Sequence, residues 1–357
     1  VRQREEIQEL LRPARMSDEA VPHRRRVRYA GKNPRRFEDK YKERDPERFP
    51  DVAAKVVASG KTLAGTHRPI MVEEILTMLA PQPGEIAVDC TLGFGGHTER
   101  IIPRLLPGGR LIGLDADPIE LPRTEARLRA LGFGPEVFTA HRCNFAGLAK
   151  VLAEQGIVGA NMVLADLGVS SMQFDDPSRG FSIKAAGPLD LRMNPQRGQP
   201  ASVLLARFSA DEFASLLVEN SDEPHAAALA PILAGRSFTN TLELAHAIRS
   251  ALSRVDAEER ELSVRRVFQA LRIAVNDEFG ALDTLLRYLP TCLAPGARVA
   301  VLTFHSGEDR RVKKAFAAAH REGLFREIAR EVTRATLEER HANPRSTSAK
   351  LRWAIRA

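Results

Sequence analysis

Ile86-Ala87-Val88-Asp89-Cys90-Thr91-Leu92-Gly93-Phe94-Gly95-Gly96-His97 is a short apolar run that stops on a carboxylate and turns through three glycines into a helical pattern. Glycine permits the positive φ of tight turns and lets the backbone approach a ligand closely. A dinucleotide fingerprint would place a third glycine three residues after Gly95, where this chain has Thr98. Pyrophosphate is therefore disfavoured, and a nucleoside cofactor without phosphates fits better. Asp115 lies 22 residues beyond Gly93 and ends the next apolar run, Arg110-Leu111-Ile112-Gly113-Leu114-Asp115, where a carboxylate can accept both ribose hydroxyls. By itself the glycine loop is also what a tight structural turn looks like.

Further runs follow at Val137-Phe138-Thr139-Ala140, Asn161-Met162-Val163-Leu164-Ala165-Asp166 and Ala297-Arg298-Val299-Ala300-Val301-Leu302-Thr303-Phe304. Short apolar runs separated by helical patterns read as buried parallel strands of an α/β sheet. Ligands of such sheets sit outside the carboxyl ends of the strands, so Asp89, Asp115 and Asp166 are expected to converge on one crevice. The residues between the fourth and fifth runs look helical. Ser209-Ala210-Asp211-Glu212 has capping-box spacing, and Val264, Val267, Phe268, Leu271 and Val275 follow one helical face. The Leu351-Arg352-Trp353-Ala354-Ile355 alternation, with the stretch from Phe325, predicts a strand or hairpin that completes the sheet. The expected organisation is a basic extension over 1–62, a cofactor-binding part over 63–172 and 277–357, and a helical insertion over 173–276 for substrate recognition.

A chain of 357 residues with 43% hydrophobic content can bury a large core. It has no apolar stretch near the roughly 18 residues of a membrane helix, and Val1-Arg2-Gln3-Arg4-Glu5-Glu6 lacks a secretory core, so the expectation is a cytoplasmic protein. Cys90, Cys143 and Cys292 show no metal-ligand or disulfide spacing, and no metal is expected. The net charge is +7, and residues 1–62 carry 17 Lys+Arg against 11 Asp+Glu, which leaves the rest almost neutral. Arg24-Arg25-Arg26-Val27-Arg28-Tyr29 and Lys32-Asn33-Pro34-Arg35-Arg36-Phe37 set basic clusters beside aromatics, as phosphate and base contacts require; a solvated leader reads equally well from charge alone.

The second candidate site is Asp166-Leu167-Gly168-Val169-Ser170-Ser171-Met172-Gln173. Methyl transfer to an amine conjugated with a base ring is difficult because the nitrogen lone pair is delocalised. Polar acceptors for the amine N–H bonds and tight alignment are the remedies, and Asp166 or Ser170 at a strand end can supply the acceptor. A helix cap or turn explains Gly168-Val169-Ser170-Ser171 equally well in isolation.

Seven ordered blocks resemble the RsmH (MraW) family: Thr66-His67-Arg68-Pro69-Ile70-Met71; the 89–97 loop; 166–173; Arg179-Gly180-Phe181-Ser182 with Gly187-Pro188-Leu189-Asp190-Leu191-Arg192-Met193; 268–276; Phe304-His305-Ser306-Gly307-Glu308-Asp309-Arg310; and Asn343-Pro344-Arg345 with Ser348-Ala349-Lys350-Leu351-Arg352. The resemblance runs from about residue 63 to the end. It implies a class I (Rossmann-like) methyltransferase fold with a helical insertion, S-adenosyl-L-methionine as cofactor, and methylation of a cytosine N4 in small-subunit ribosomal RNA. Carried over residue by residue, it implies cofactor contacts at Gly95, Gly96, His97, Asp115 on the ribose, Phe145 beside adenine, and Asp166 with Gln173 near the reacting end. The partners implied are small-subunit ribosomal RNA or a ribosomal particle; a homodimer is compatible, a membrane is not. The chain departs from the family pattern at Asn220-Ser221-Asp222-Glu223-Pro224-His225, where Tyr-Gly-Glu-Glu is usual, at Gly307, where Leu is usual, and at Ser346-Thr347, where Ala-Arg is usual. Residues 1–62 have no counterpart in short members.

Two other readings are open to the sequence: a methyltransferase of this fold acting on another amine in nucleic acid or protein, and a non-catalytic cofactor-binding assembly factor. Cytosine-C5 chemistry is disfavoured, because it needs a cysteine nucleophile and none stands at 166–171.

Overall fold

The computed structural model describes residues 69–357; the basic clusters of 1–62 and the Thr66-His67-Arg68 part of the first block lie outside the described residues. In chain order the elements are α1 (Val72–Leu79), β1 (Ile86–Asp89), α2 (Gly96–Leu105), β2 (Arg110–Asp115), α3 (Glu120–Ala130), β3 (Phe138–Arg142), α4 (Leu148–Glu154) and β4 (Ala160–Asp166). Then follow α5 (Ser171–Asp175), α6 (Ala201–Leu205), α7 (Ala210–Ser221), α8 (Ala226–Leu233), α9 (Thr241–Ala251), α10 (Ala257–Asn276) and α11 (Glu278–Tyr288). The chain closes with β5 (Leu293–Thr303), α12 (Ser306–Arg321), β6 (Phe325–Ile328), α13 (Leu337–Ala342) and β7 (Lys350–Arg356).

The strands form one sheet in the order β3-β2-β1-β4-β5-β7-β6. β1 to β5 are parallel to one another, and β7 runs antiparallel to both β5 and β6. This is the doubly wound α/β sheet expected from the five apolar runs. Alternate residues of each strand serve opposite faces. Val88, Ile112, Val163 and Val301 pack with α4, α11 and α12, whereas Ala87, Leu111, Leu164 and Leu302 pack with α1, α2 and α3. The chain order reverses between β1 and β4, so the carboxyl ends of these two strands flank the topological switch point, where such sheets bind ligands.

Helices α6 to α10 have a core of their own, which includes Phe213, Leu217, Leu229, Ile248, Val264 and Leu271. Ser209 opens α7 with a complete capping box: its hydroxyl accepts from Glu212 N at 3.3 Å, and Ser209 N donates to Glu212 Oε2 at 2.8 Å. The segment after β4 is less helical than its sequence suggests. Between α5 and α6, residues 176–200 hold only one 3-10 turn, Pro177–Arg179. Pro177, Gly180, Gly187-Pro188, Pro195 and Pro200 interrupt any helix there, and Asp176 and Asp190 satisfy nearby amides through their carboxylates. The C-terminal expectation is met by β6 and β7, which pair although α13 and a 3-10 turn lie between them. Among the described residues no helix is long and apolar enough to cross a membrane.

Candidate active site

The loop after β1 is organised by Asp89. Its Oδ1 accepts from Thr91 N at 3.1 Å and its Oδ2 from the Thr98 hydroxyl at 2.8 Å. Asp89 is 2% exposed, and burial pushes its carboxyl above the usual range, opposed chiefly by neighbouring His97. It therefore faces the inside of its own loop and not the open crevice, contrary to the sequence expectation. Thr98, one helical turn into α2, reaches back over it. Gly95 caps α2 at φ 79°, a left-handed conformation, and a Cβ there would stand 3.0 Å from Leu128 Cδ1. A Cβ on Gly96 would crowd the Pro69 ring at 3.1 Å. These glycines let α2 begin in close contact with α3 and with the segment before α1.

The loop is clamped to β2 by Asp115, whose Oδ2 accepts from Gly93 N at 2.8 Å while its Oδ1 accepts from Asp117 N at 2.8 Å. Burial raises the Asp115 carboxyl to about 6 even though both amides favour its charged form. Asp117, which the sequence reading passed over, is the most connected acid of the site. Its Oδ1 takes the α3 amides of Ile119 (2.9 Å) and Glu120 (3.3 Å), and its Oδ2 takes Gln173 Nε2 and Arg179 Nη2, each at 2.9 Å. The Asp115-Ala116-Asp117 spacing was the visible signal for it. Gln173, expected near the reacting end, thus has its amide on Asp117 at the end of β2. Arg179, buried in the Arg-Gly-Phe-Ser block, also donates to Met193 O at 2.8 Å and so pins the irregular 176–200 segment to the sheet.

Asp166 ends β4 on the other side of the switch point. Its amide donates to Thr91 Oγ1 at 2.7 Å, its Oδ1 accepts from Gly168 N at 3.2 Å, and its Oδ2 lies 3.5 Å from His97 Nε2. The two blocks singled out in sequence therefore meet through Thr91 and His97. Ser170 is the N-cap of α5 and accepts from Met172 N at 3.3 Å. Phe145 opens the 3-10 turn after β3, held by Asn144, whose side chain accepts from Ala146 N at 3.0 Å, and the ring is half-buried against the α4 and α11 core. A Cβ on Gly168 would stand 2.8 Å from the Phe304 ring, so the ends of β4 and β5 are in direct contact.

The crevice is built to hold a polar group. His97 Nε2 is buried and has no hydrogen-bond partner among the described residues, although it faces a carboxylate. A nucleoside cofactor with an amino acid end fits this donor and acceptor set. Residues 64–357 match the MraW methylase family. The chain belongs to that family. It is 48% identical over 351 residues to ribosomal RNA small subunit methyltransferase H 2 of Alkaliphilus metalliredigens, an alignment that covers 96% of this chain and 100% of the relative. It is 46% identical to ribosomal RNA small subunit methyltransferase H 1 of Lachnoclostridium phytofermentans, covering 94% and 93%. The Thermomicrobium roseum methyltransferase H is 39% identical, with 82% of this chain and 94% of the relative covered. The first two alignments extend well into residues 1–62, so the N-terminal part of this MraW methylase does have counterparts in longer relatives.

Arg179 is the only cation on Asp117 among the described residues. Replacing it as Arg179→Met leaves a buried carboxylate with only Gln173 and backbone amides, a loss of about 3 kcal/mol or more. Urea unfolding monitored by far-UV circular dichroism should show the fall, and an unchanged midpoint would refute the role given to this pair.

Proposed function

We propose that this chain transfers a methyl group from S-adenosylmethionine to the exocyclic N4 of a cytidine in small-subunit ribosomal RNA. The observation that carries this reading is the meeting of the cofactor-type loop with a strand-end carboxylate: Asp166 Oδ2 stands 3.5 Å from His97, with a quarter of its side chain open. Relatives named small subunit methyltransferase H, at 46–48% identity over nearly the whole chain, support the RNA as substrate. The cytosine N4 follows from the resemblance to the RsmH family. Residues 63–172 and 277–357 form the cofactor-binding part, and 173–276 recognise the substrate.

S-adenosylmethionine supplies a methyl group on a positively charged sulfur. Asp115 would accept the ribose hydroxyls, Phe145 would lie along the adenine, and Gly95, Gly96 and His97 would line the cofactor at the start of α2. Asp166 would hold the reacting end, and Gln173, whose amide is on Asp117, would act on the β2 side of the crevice. Asp166 would also accept an N–H from the incoming amine, with Ser170 as second acceptor, which would fix the nitrogen and raise its electron density. As the N–C bond forms and the C–S bond breaks, the surplus amine proton would leave along this hydrogen bond toward the Asp166 carboxylate and solvent. Its neighbours Thr91 and Gly168 keep the carboxylate in place through the backbone. The general test is mass spectrometry of nucleosides from small-subunit RNA with and without the gene: N4-methylcytidine should disappear, and its persistence would sink the reading.

Asp166→Asn keeps the shape and loses the charged acceptor. We expect kcat to fall by roughly 100-fold or more with an intact fold; near wild-type turnover in single-turnover assays would remove Asp166 from the chemistry.

Asp115 titrates near 6, so its pH behaviour has a definite sign. The ionised carboxylate is the form that accepts two hydroxyls. Cofactor affinity should therefore be full above about pH 7 and weaken as pH drops through 6. Asp115→Ala should lose roughly 2–4 kcal/mol of affinity and this pH dependence together. Calorimetry across pH 5 to 8 decides it, and identical curves for both proteins would exclude Asp115 from the ribose site.

Residues 1–62 raise affinity for RNA without touching chemistry, because they hold nearly all the excess charge. A chain starting at Gly65 should show a flatter salt dependence and a higher KM for RNA at unchanged saturated kcat. The same slope and KM as the full chain would mean that these residues do not bind RNA.

A further inference from the structure

Outside the crevice, one face of α12 carries chemistry that the fold does not absorb. Arg310, Lys313, Lys314 and Arg321 fall at i, i+3, i+4 and i+11, a single stripe on a helix, and all four are exposed. Ala317 and Ser306 complete the face, so it holds no acid and no large apolar side chain. The acids of α12 are engaged elsewhere. Glu308 is buried and accepts from Phe304 N at 2.8 Å and His305 N at 3.3 Å, and Asp309 is held by Arg352 at 2.6 Å and Lys350 at 3.7 Å. Arg311, off the stripe, lies 3.5 Å over the Phe279 ring. Lys313, Lys314 and Arg321 form no ion pair among the described residues. Because the chain beyond residue 62 is almost neutral, four cations along one face, three of them without an ion-pair partner among the described residues, are a local arrangement and not a reflection of overall composition.

The position of the stripe matters as much as its charge. α12 begins directly after β5, at the crevice end of the sheet, and Arg310 lies 3.2 Å from Asp222, the residue that ends α7 of the helical segment. The stripe therefore starts where that segment meets the sheet and runs back along the sheet for about 16 Å at 1.5 Å per residue. That length follows several successive phosphates of one strand.

We propose that this face of α12 binds the phosphate backbone of the RNA substrate and leads the strand into the crevice, an inference that rests on the RNA reading above. With no aromatic side chain on the face to stack on a base, the contact is to backbone and carries no sequence preference. It sets KM for RNA and leaves the chemical step alone.

The test uses the full chain with Lys313→Gln, Lys314→Gln and Arg321→Gln combined, leaving Arg310 and its contact to Asp222 in place. Binding of a fluorescent small-subunit rRNA transcript is titrated against salt, and KM and kcat are measured on the same RNA and on small subunits lacking the modification. Three lost phosphate contacts should reduce the slope of log affinity against log salt by about 2, at roughly 0.7 per contact on a single strand. KM should rise about 10-fold near physiological salt, with kcat at saturating RNA and cofactor affinity unchanged. A control that removes three exposed cations from other elements, Arg104→Gln, Lys150→Gln and Arg287→Gln, should leave slope and KM close to wild type. An α12 variant with wild-type slope and KM overturns the proposal, as does a control that loses as much as the α12 variant, since net charge alone would then be responsible. A wild-type protein that methylates neither RNA nor subunits overturns the functional reading instead, and the α12 inference falls with it.

Discussion

A carboxylate at the end of a buried strand has to find hydrogen-bond donors close by, because an unpaired charge there costs several kcal/mol. Much of the crevice consists of the answers to that requirement. Asp89 draws in Thr91 and Thr98, and the hydroxyl of Thr98 fixes the first turn of α2 over β1. Asp115 draws in Gly93 N and so clamps the β1 loop to β2. Asp117 draws in the start of α3, Gln173 and Arg179. The β4 end is tied to the same loop by the Asp166 amide on Thr91 Oγ1. The donors come from the stretch after β1, from the start of α3 and from the segment after β4, so the acids join the loops above β1, β2 and β4 into one connected network.

The sheet was legible because its strands are short, apolar and bounded by carboxylates or glycines; the five runs became β1 to β5 with ends shifted by a few residues. The capping box at Ser209 and the helical face through Val264 and Leu271 were legible for the same local reason: periodicity and caps act within a few residues. The partners of the site acids were not. Nothing near Asp117 announces that Arg179, 62 positions away, will neutralise it, and Gln173 stands in a block that suggested the reacting end. Asp89 looked like Asp115 and Asp166 in sequence, and only the return of Thr98 on α2 turns it inward. Residues 176–200 sit between helical neighbours, yet their prolines and glycines choose side-chain-satisfied turns instead.

Where the family usually has leucine, Gly307 shows how the packing beside the crevice is kept. A Cβ at 307 would come within 2.6 Å of Phe279 Cζ, so the α11 aromatic occupies the space a leucine side chain would need. Phe279 is buried, its ring centre is 5.7 Å from that of His305, and Arg311 covers it. The exchange keeps this corner filled, and Glu308 still receives the Phe304 and His305 amides at the end of β5. Asp222 holds the same corner from the helical side. It ends α7 in a left-handed conformation at φ 50° and takes the Ser306 hydroxyl at 2.7 Å, which holds the helical segment against the start of α12.

The three cysteines sharpen the choice between nitrogen and carbon as methyl acceptor. They are far apart in sequence, but the fold gathers Cys90 and Cys292 into one core, with Cys143 packed against it. Cys90 follows β1 and is the one closest in sequence to the cofactor-type loop, but its side chain is buried and burial drives its thiol well above the usual range. Cys143 is pushed up to about 11 for the same reason. A covalent attack on a pyrimidine ring requires a thiolate, and groups this strongly protonated near neutral pH do not supply one. Transfer to an exocyclic amine makes no such demand. The proposed transfer to an amine calls for an oxygen acceptor at a strand end, and Asp166 is an oxygen group at such a place, braced by Thr91 and Gly168 and facing His97.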